Sequence, residues 1–354
     1  MVKNWSISVE KTQQSRLESV DFENLVFGRE FSDHMFMVDY EEGEWLNPRI
    51  IPFGKLSFYP SMVSLHYGQT VFEGMKAYRN PAGEIQCFRP HLHSERLNAS
   101  SARLCLPKLP EDLFLQGLYE LLQIDSNWIP AKKGCSLYIR PFIIGTDEYI
   151  GVAPPKKAQF IIITSPVAAY YSGAVKLLVE EEYVRAAEGG TGFVKMGGNY
   201  AASLLPAQKA AEKGYQQLLW TDAKEHKYIE EAGTMNVMFQ IGDKIITPNL
   251  STSILPGITR RSVLELAKHW GYEIEERKIA VEEVIEAHKN GTLKDVFGTG
   301  TAATITQISH IGYHGHDYEL PPVEERDFSV KVGNYLSKLK VGEGEDFMNW
   351  MVTI

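Results

Sequence analysis

Apolar and polar positions change period several times along the chain, and each change predicts an element. Residues 25–40 carry Val26, Phe27, Phe31, Met35, Phe36, Met37 and Val38 and predict strands broken at Gly28-Arg29; residues 49–58 and 62–67 continue in the same style. Gly74 interrupts 71–78, and the turn residues Asn80-Pro81-Ala82-Gly83 precede a strand over 85–88, so the opening reads as a sheet of hairpins. From Pro90 the spacing becomes helical, through Leu92, Leu97, Ala99, Ala102 and Leu106, with proline in the first turn where its missing N–H costs little. A second amphipathic helix is predicted over 110–128, with Leu113, Leu115, Leu118, Leu121 and Leu122 on one side. Strands over 136–144 and 159–165 follow, joined by a loop at 152–157.

The stretch 165–173, with proline, two tyrosines and a glycine, reads as the passage between domains. Beyond it the pattern predicts a strand over 175–179 and a helix over 200–213, capped by Asn199 and kinked or delayed by Pro206. Strands over 217–220 and 228–231 follow, then a hairpin of 235–241 and 244–247 turning on Gly242-Asp243. Leu255-Pro256-Gly257-Ile258-Thr259 opens a helix to about residue 270. A strand at 272–279, a helix at 281–290, a strand pair over 295–311 broken at Gly298-Thr299-Gly300-Thr301, and a helix at 328–340 complete the order.

Composition narrows the class. The chain of 354 residues is 44% hydrophobic and 23% charged, which can bury a sizeable core and, at roughly 150 residues per domain, predicts two domains. The expected division is 1–165, an interdomain loop 166–178, and 179–354. A net charge of −9 without a Lys/Arg-rich run excludes nucleic acid as the expected partner. No run approaches a bilayer span and residues 6–19 are too polar for a signal peptide, so the expected location is the cytoplasm. Cys87, Cys105 and Cys135 are odd in number and far apart, which predicts neither disulfides nor a metal site.

Candidate chemistry gathers at residues 189–200, Gly-Gly-Thr-Gly-Phe-Val-Lys-Met-Gly-Gly-Asn-Tyr, where Lys195 is the only charge. Glycine at that density marks a tight turn or a close backbone approach. Lys195 is then either a solvated loop lysine or a covalent anchor for an aldehyde cofactor. Arg96, the helix start at Ile258-Thr259 and the glycine-flanked Thr301 each suit an anion, though each alone is also an ordinary surface charge or turn. Glu230-Glu231 reads as a solvated strand end or as the carboxylate of a site. A lysine amine, a carboxylate and phosphate donors together are what pyridoxal 5'-phosphate requires.

Longer words carry a resemblance. Phe72-Glu73-Gly74-Met75-Lys76-Ala77, Leu137-Tyr138-Ile139-Arg140-Pro141, Lys195-Met196-Gly197-Gly198-Asn199-Tyr200, Glu231-Ala232-Gly233-Thr234-Met235-Asn236 and Phe297-Gly298-Thr299-Gly300-Thr301-Ala302 occur in the family order of the branched-chain amino acid aminotransferases, which the chain resembles over nearly its whole length. The resemblance implies the α/β (α+β) architecture of fold type IV: two domains on mixed or antiparallel sheets with flanking helices, and the cofactor at the domain interface. It implies reversible transamination between leucine, isoleucine or valine and 2-oxoglutarate, with pyridoxal 5'-phosphate held by Lys195 as a Schiff base.

Lys195 would also move the proton between substrate Cα and cofactor C4′. Glu231 would face the pyridine nitrogen and Tyr200 the ring hydroxyl, while Arg96, the amides of Ile258 and Thr259, and the Thr301 hydroxyl would hold the phosphate. Phe27, Tyr67, Phe72, Tyr138 and Tyr170 would form an aromatic box, completed across a homodimer. There a buried methylene contributes about 0.8 kcal/mol. Arg140 and the tyrosine hydroxyls would be candidate partners of the distal carboxylate of 2-oxoglutarate, and the amides of Ala302 and Ala303 would meet the substrate carboxylate. D-amino acid transaminases and aminodeoxychorismate lyases share the lysine and glutamate but are shorter and lack the Phe-Glu-Gly-Met-Lys-Ala run. Animal members carry a Cys-x-x-Cys where this chain has Ala303-Thr304-Ile305-Thr306, so thiol regulation of that kind is not expected.

Overall fold

In a computed structural model, which describes residues 4–168, 173–302 and 304–354, the chain forms two units. One comprises Met1–Tyr170, Val194–Gly197 and Lys338–Ile354; the other comprises Tyr171–Phe193 and Gly198–Ser337. This differs from a division into 1–165 and 179–354, because the segment around Lys195 and residues 338–354 group with the first unit.

The first unit's strands are Ser8–Val9 (β1), His34–Glu41 (β2), Glu44–Pro52 (β3), Thr70–Phe72 (β4), Met75–Arg79 (β5), Ile85–Phe88 (β6), Ser136–Gly145 (β7) and Ala158–Val167 (β8). They form a sheet in the order β1-β3-β2-β8-β7-β5-β6, closed at the far edge by Met351–Thr353, with β4 against β7. The helices are Val63–Tyr67 (α1), Pro90–Arg103 (α2) and Glu111–Ile124 (α3). In α3, Leu113, Phe114, Leu118, Leu121 and Leu122 recur every three or four residues and are buried with Phe36 of β2 and Phe160 of β8. Each such side chain taken out of water contributes about 1.5–3 kcal/mol. Gly117 shares that face, and a Cβ there would collide with the Phe36 ring.

The second unit holds Val175–Val179 (β9), Gln217–Thr221 (β10), Ile229–Ala232 (β11), Asn236–Ile241 (β12), Lys244–Thr247 (β13), Glu273–Glu276 (β14), Leu293–Thr299 (β15), Ile305–Tyr313 (β16) and His316–Glu319 (β17). Its mixed sheet runs β11-β10-β9-β16-β15-β12-β13-β14, with β17 on β16. Helices Gly197–Ala201 (α4), Leu204–Glu212 (α5), Ile258–His269 (α6), Val281–Lys289 (α7) and Phe328–Lys340 (α8) complete the order. Val281, Val284, Ile285 and Ala287 of α7 join Val175, Leu177, Val237 and Phe239 in the core.

Differences from the sequence reading lie in short runs. Residues 25–31 contain a turn and no strand: Gly28 reverses the chain at φ 70° and Val26 is 61% exposed. Residues 62–67 give α1 rather than strand, ended by the left-handed Gly68; a short apolar run does not reveal its period. β3 stops at Pro52, α3 stops at Ile124, and the strand expected over 272–279 shrinks to β14. The helix expected over 200–213 is broken between Ala201 and Leu204, with Pro206 in the first turn of α5. Asn199 lies inside α4 instead of capping it, and exchanges two 2.8 Å hydrogen bonds with Thr191.

Gly117→Ala pits two effects against each other. Helix propensity favours alanine by about 1 kcal/mol, whereas overpacking a filled core costs about 1–3 kcal/mol. The urea midpoint should therefore fall, and a rise would show that the Phe36 ring gives way.

Candidate active site

Lys195 belongs to the first unit, and its backbone is held from two sides. Its carbonyl accepts the Phe72 N–H at 3.0 Å, its N–H donates to Ser100 Oγ at 3.0 Å, and Met196 bridges antiparallel to Val71. Strand β4 and helix α2 thereby fix one residue of a run whose glycines give it little structure of its own. Lys195 Nζ lies over the Phe72 ring, 4.8 Å from its centroid.

Around that ring the structure gathers three more of the expected residues. The Arg140 guanidinium stands 4.6 Å from the centroid of Phe72 and 5.3 Å from that of Tyr138, and Nη2 donates to Tyr138 Oη at 2.8 Å. Phe27 meets Tyr138 edge-on at 4.9 Å. Residue 74 must be glycine for this, since a Cβ there would overlap Tyr138 Oη. Tyr67, at the end of α1, packs on His66 at 6.1 Å, and among the described residues no ring contact joins it to this group. Tyr170 and Ala303 lie outside the described residues.

Arg96 is held by a residue that sequence reasoning missed as a site member. Wholly buried Glu73, between β4 and β5, accepts Arg96 Nε at 2.7 Å and Nη2 at 2.8 Å, and His93 Nδ1 at 2.6 Å. Burial alone would raise the Glu73 pKa, but the guanidinium and then His93 hold its carboxyl far below the usual range. Burial keeps the His93 pKa below its ordinary value despite that neighbour, so the ring donates in its neutral form. The two bonds from Nε and Nη2 fix the plane of the Arg96 guanidinium against Glu73.

In the second unit, Glu231 is 3% exposed on β11. The ladder to β10 skips a residue there: Trp220 opposes Glu231 and Thr221 opposes Ile229, which makes Glu230 the extra residue of a β-bulge. Ile229 and Ala232 stay in the core while both acids between them turn out of it. Glu231 Oε1 accepts the Leu255 N–H at 2.7 Å and faces Asn236 Nδ2 at 3.5 Å, and Arg185 Nε is 3.3 Å from Oε2. A buried carboxylate needs such partners.

Leu255 leads into Pro256-Gly257 and α6. Among the described residues no side chain caps this helix, whose first backbone bond runs from Arg261 N–H to Gly257 O at 2.9 Å. Ile258 and Thr259 are buried at that start, so their amides form an anion-ready site at the positive end of the helix dipole. A Cβ on Gly257 would collide with Asn236 Oδ1, so one glycine both opens the helix and admits the neighbour of Glu231. Across the ladder from Asn236 lies Thr299, a buried hydroxyl with no hydrogen-bond partner among the described residues. Thr301 and Ala302 follow in a bend and turn, and Tyr200 is half-buried in α4. A positioned amine in the first unit and, in the second, a buried carboxylate and a helix start with no side-chain cap among the described residues are each of a kind that pyridoxal 5'-phosphate requires.

Comparison with known proteins gives the same direction. The pattern of the amino-transferase class IV family matches residues 70–311. Branched-chain-amino-acid aminotransferase 2 of Bacillus subtilis is 46% identical over 353 residues, covering 99% of this chain and 97% of that protein. The chain belongs to the class IV aminotransferases, in the branched-chain-amino-acid group. Among solved class IV structures, the Escherichia coli branched-chain amino acid aminotransferase superposes with a TM-score of 0.73 at 27% identity, covering 90% of this chain and 98% of that one. A second solved branched-chain amino acid aminotransferase, complexed with N-(5'-phosphopyridoxyl)-L-glutamate, gives 0.70 at 25% identity, covering 89% and 97%.

In this aminotransferase, replacing Glu73 by leucine should strand the charge of Arg96. Breaking a buried pair from one side costs about 3–5 kcal/mol, against at most about 1 kcal/mol for a surface pair. Urea unfolding of Glu73→Leu distinguishes the two, and a loss in the lower range would mean that Arg96 finds another anion.

Proposed function

We propose that the protein transfers the amino group of leucine, isoleucine or valine to 2-oxoglutarate, using pyridoxal 5'-phosphate, as a homodimer in the cytoplasm. The observation that carries this reading is the clamped Lys195, whose amine is presented over Phe72 in a group with Phe27, Tyr138 and Arg140. When bound, the cofactor supplies an aldehyde carbon and an electron-accepting ring. Lys195 Nζ binds it and carries the proton to and from the substrate Cα; the backbone clamp limits the travel to the side chain. Glu231, fixed by the Leu255 amide, sets a negative charge against the ring nitrogen, and Tyr200 serves the ring hydroxyl. The amides of Ile258 and Thr259, the Thr301 hydroxyl and the Arg96 guanidinium bind the phosphate.

The two substrates differ in side chain but share one box. A branched aliphatic chain buries its methyl groups on Phe27, Phe72 and Tyr138, at about 0.8 kcal/mol per methylene. Arg140, masked by two aromatic faces and by Tyr138 Oη, presents less charge to that chain than a bare guanidinium would. For 2-oxoglutarate the same guanidinium turns its donors to the distal carboxylate. The amides of Ala302 and Ala303 take the carboxylate common to both.

Lys195→Ala should abolish turnover of L-leucine with 2-oxoglutarate and, with it, the visible absorbance of covalently held cofactor; a variant that keeps transaminating removes the assignment. Glu231→Gln should retain cofactor while the rate falls about 10²-fold or more, the scale expected when one pre-set electrostatic partner is lost. Unchanged kinetics would place that duty on another group. Sedimentation of the purified protein tests the dimer.

A further inference from the structure

The second unit contains a cleft of about 500 Å³ whose wall includes Glu230, Ser253, Tyr228 and Ile254 and none of the residues given a catalytic, cofactor or substrate role above. That is the size of a small-ligand site. Glu230, the bulged residue of β11, is 8% exposed. Its Oε1 accepts a hydrogen bond from Ser253 Oγ, while its Oε2 is buried without any partner among the described residues. An unmet carboxylate oxygen is a standing cost that an incoming donor removes.

The surroundings decide which donor. Glu188 and Glu225 also line the cleft, so an anion would meet three carboxylates there. Asp222 is a fourth acid in the wall, but its oxygens already accept the amides of Lys224, Glu225, Lys227 and Tyr228. Lys278 is drawn over the Tyr228 ring at 5.1 Å, and Lys227 shares that ring at 5.4 Å. Lys224 is exposed, and so are Glu188, Glu225 and Lys278, which leaves Glu230 as the buried charge of the lining. An uncharged apolar molecule would leave the carboxylate unmet, whereas a small cation with N–H donors pairs with it once the Glu230 side chain turns Oε2 to the cleft, and can rest an alkyl tail on Ile254 and Pro248.

We propose that this cleft is a second binding site, distinct from the transaminase centre, for a small organic cation of the alkylguanidinium kind, with Glu230 as its carboxylate partner. The charged groups facing Glu230 are Arg185, Glu231 and Asp222. Burial raises the Glu230 pKa to about 7, against the opposing effects of Ser253 and Arg185. A cation binds the ionised carboxylate, so affinity is full above that pH and weakens below it, by up to about tenfold per unit.

Titration calorimetry of the holoenzyme with butylguanidine, a probe that stays charged throughout, tests this. The expected result at pH 8 is saturable binding, one molecule per chain, unchanged by saturating 4-methylvaleric acid as an occupant of the catalytic centre, and weakened at least tenfold in Glu230→Gln. In the unmodified protein the affinity should fall as pH is lowered from 8 to 6, a measurement that requires no variant to fold. Absent saturation, competition by 4-methylvaleric acid, an affinity indifferent to pH, or full binding by a folded Glu230→Gln would each overturn the site. None of these readouts depends on turnover.

Discussion

Two backbone hydrogen bonds on Lys195 hold the residue on which the proposed chemistry depends. Lysine has four rotatable carbons, and a lysine in a glycine-rich run would spread its amine over many positions. The N–H of Lys195 on Ser100 and its carbonyl on Phe72 remove the backbone from that freedom. Ser100 can serve because α2 is seated by Leu92 and Leu97 on the core side, and Phe72 because β4 is paired with β7. The precision of a reactive amine therefore rests on ordinary helix and sheet packing elsewhere. Glycines remain where a side chain would intrude, as at residue 74 beneath Tyr138 Oη.

A parallel economy positions the acid. A regular ladder would send Glu230 and Glu231 to opposite faces of β11, one of them into the apolar core. The bulge leaves both outside the apolar cluster, though still buried, and the loop after β13 meets each separately: Ser253 donates to Glu230 and the Leu255 amide to Glu231. Adjacent acids thus have different environments, one with its oxygens supplied and one with an oxygen still unmet among the described residues.

Long periodic runs were legible in the sequence. α8 falls on its predicted bounds because several turns in succession leave one period, and the short strands β6 and β9 do so because turn residues or a glycine mark where each begins. α1, β1, β17 and Met351–Thr353 were not, because two to five residues carry no period of their own and owe their form to partners far along the chain. The site followed the same division. Lys195, Glu231 and the α6 start could be proposed from residue type and neighbours, while the contacts that Glu73, Ser100 and Asn236 make with Arg96, Lys195 and Leu255 are visible only in the fold. The bulge left no mark in the sequence, since Tyr-Ile-Glu-Glu-Ala reads as plain strand.

The outermost strand of the first sheet has a temporal consequence. Phe88 must wait for Met351 before its edge is covered, and the N–H of Arg89 waits for the carbonyl of Trp350. On a translating ribosome, the flank of β6 therefore stays raw while most of the polypeptide emerges, an open edge of the kind that recruits stray chains or chaperones. The closing strand works as a late clasp, and maturation of the sheet is timed by residues made long after its other strands.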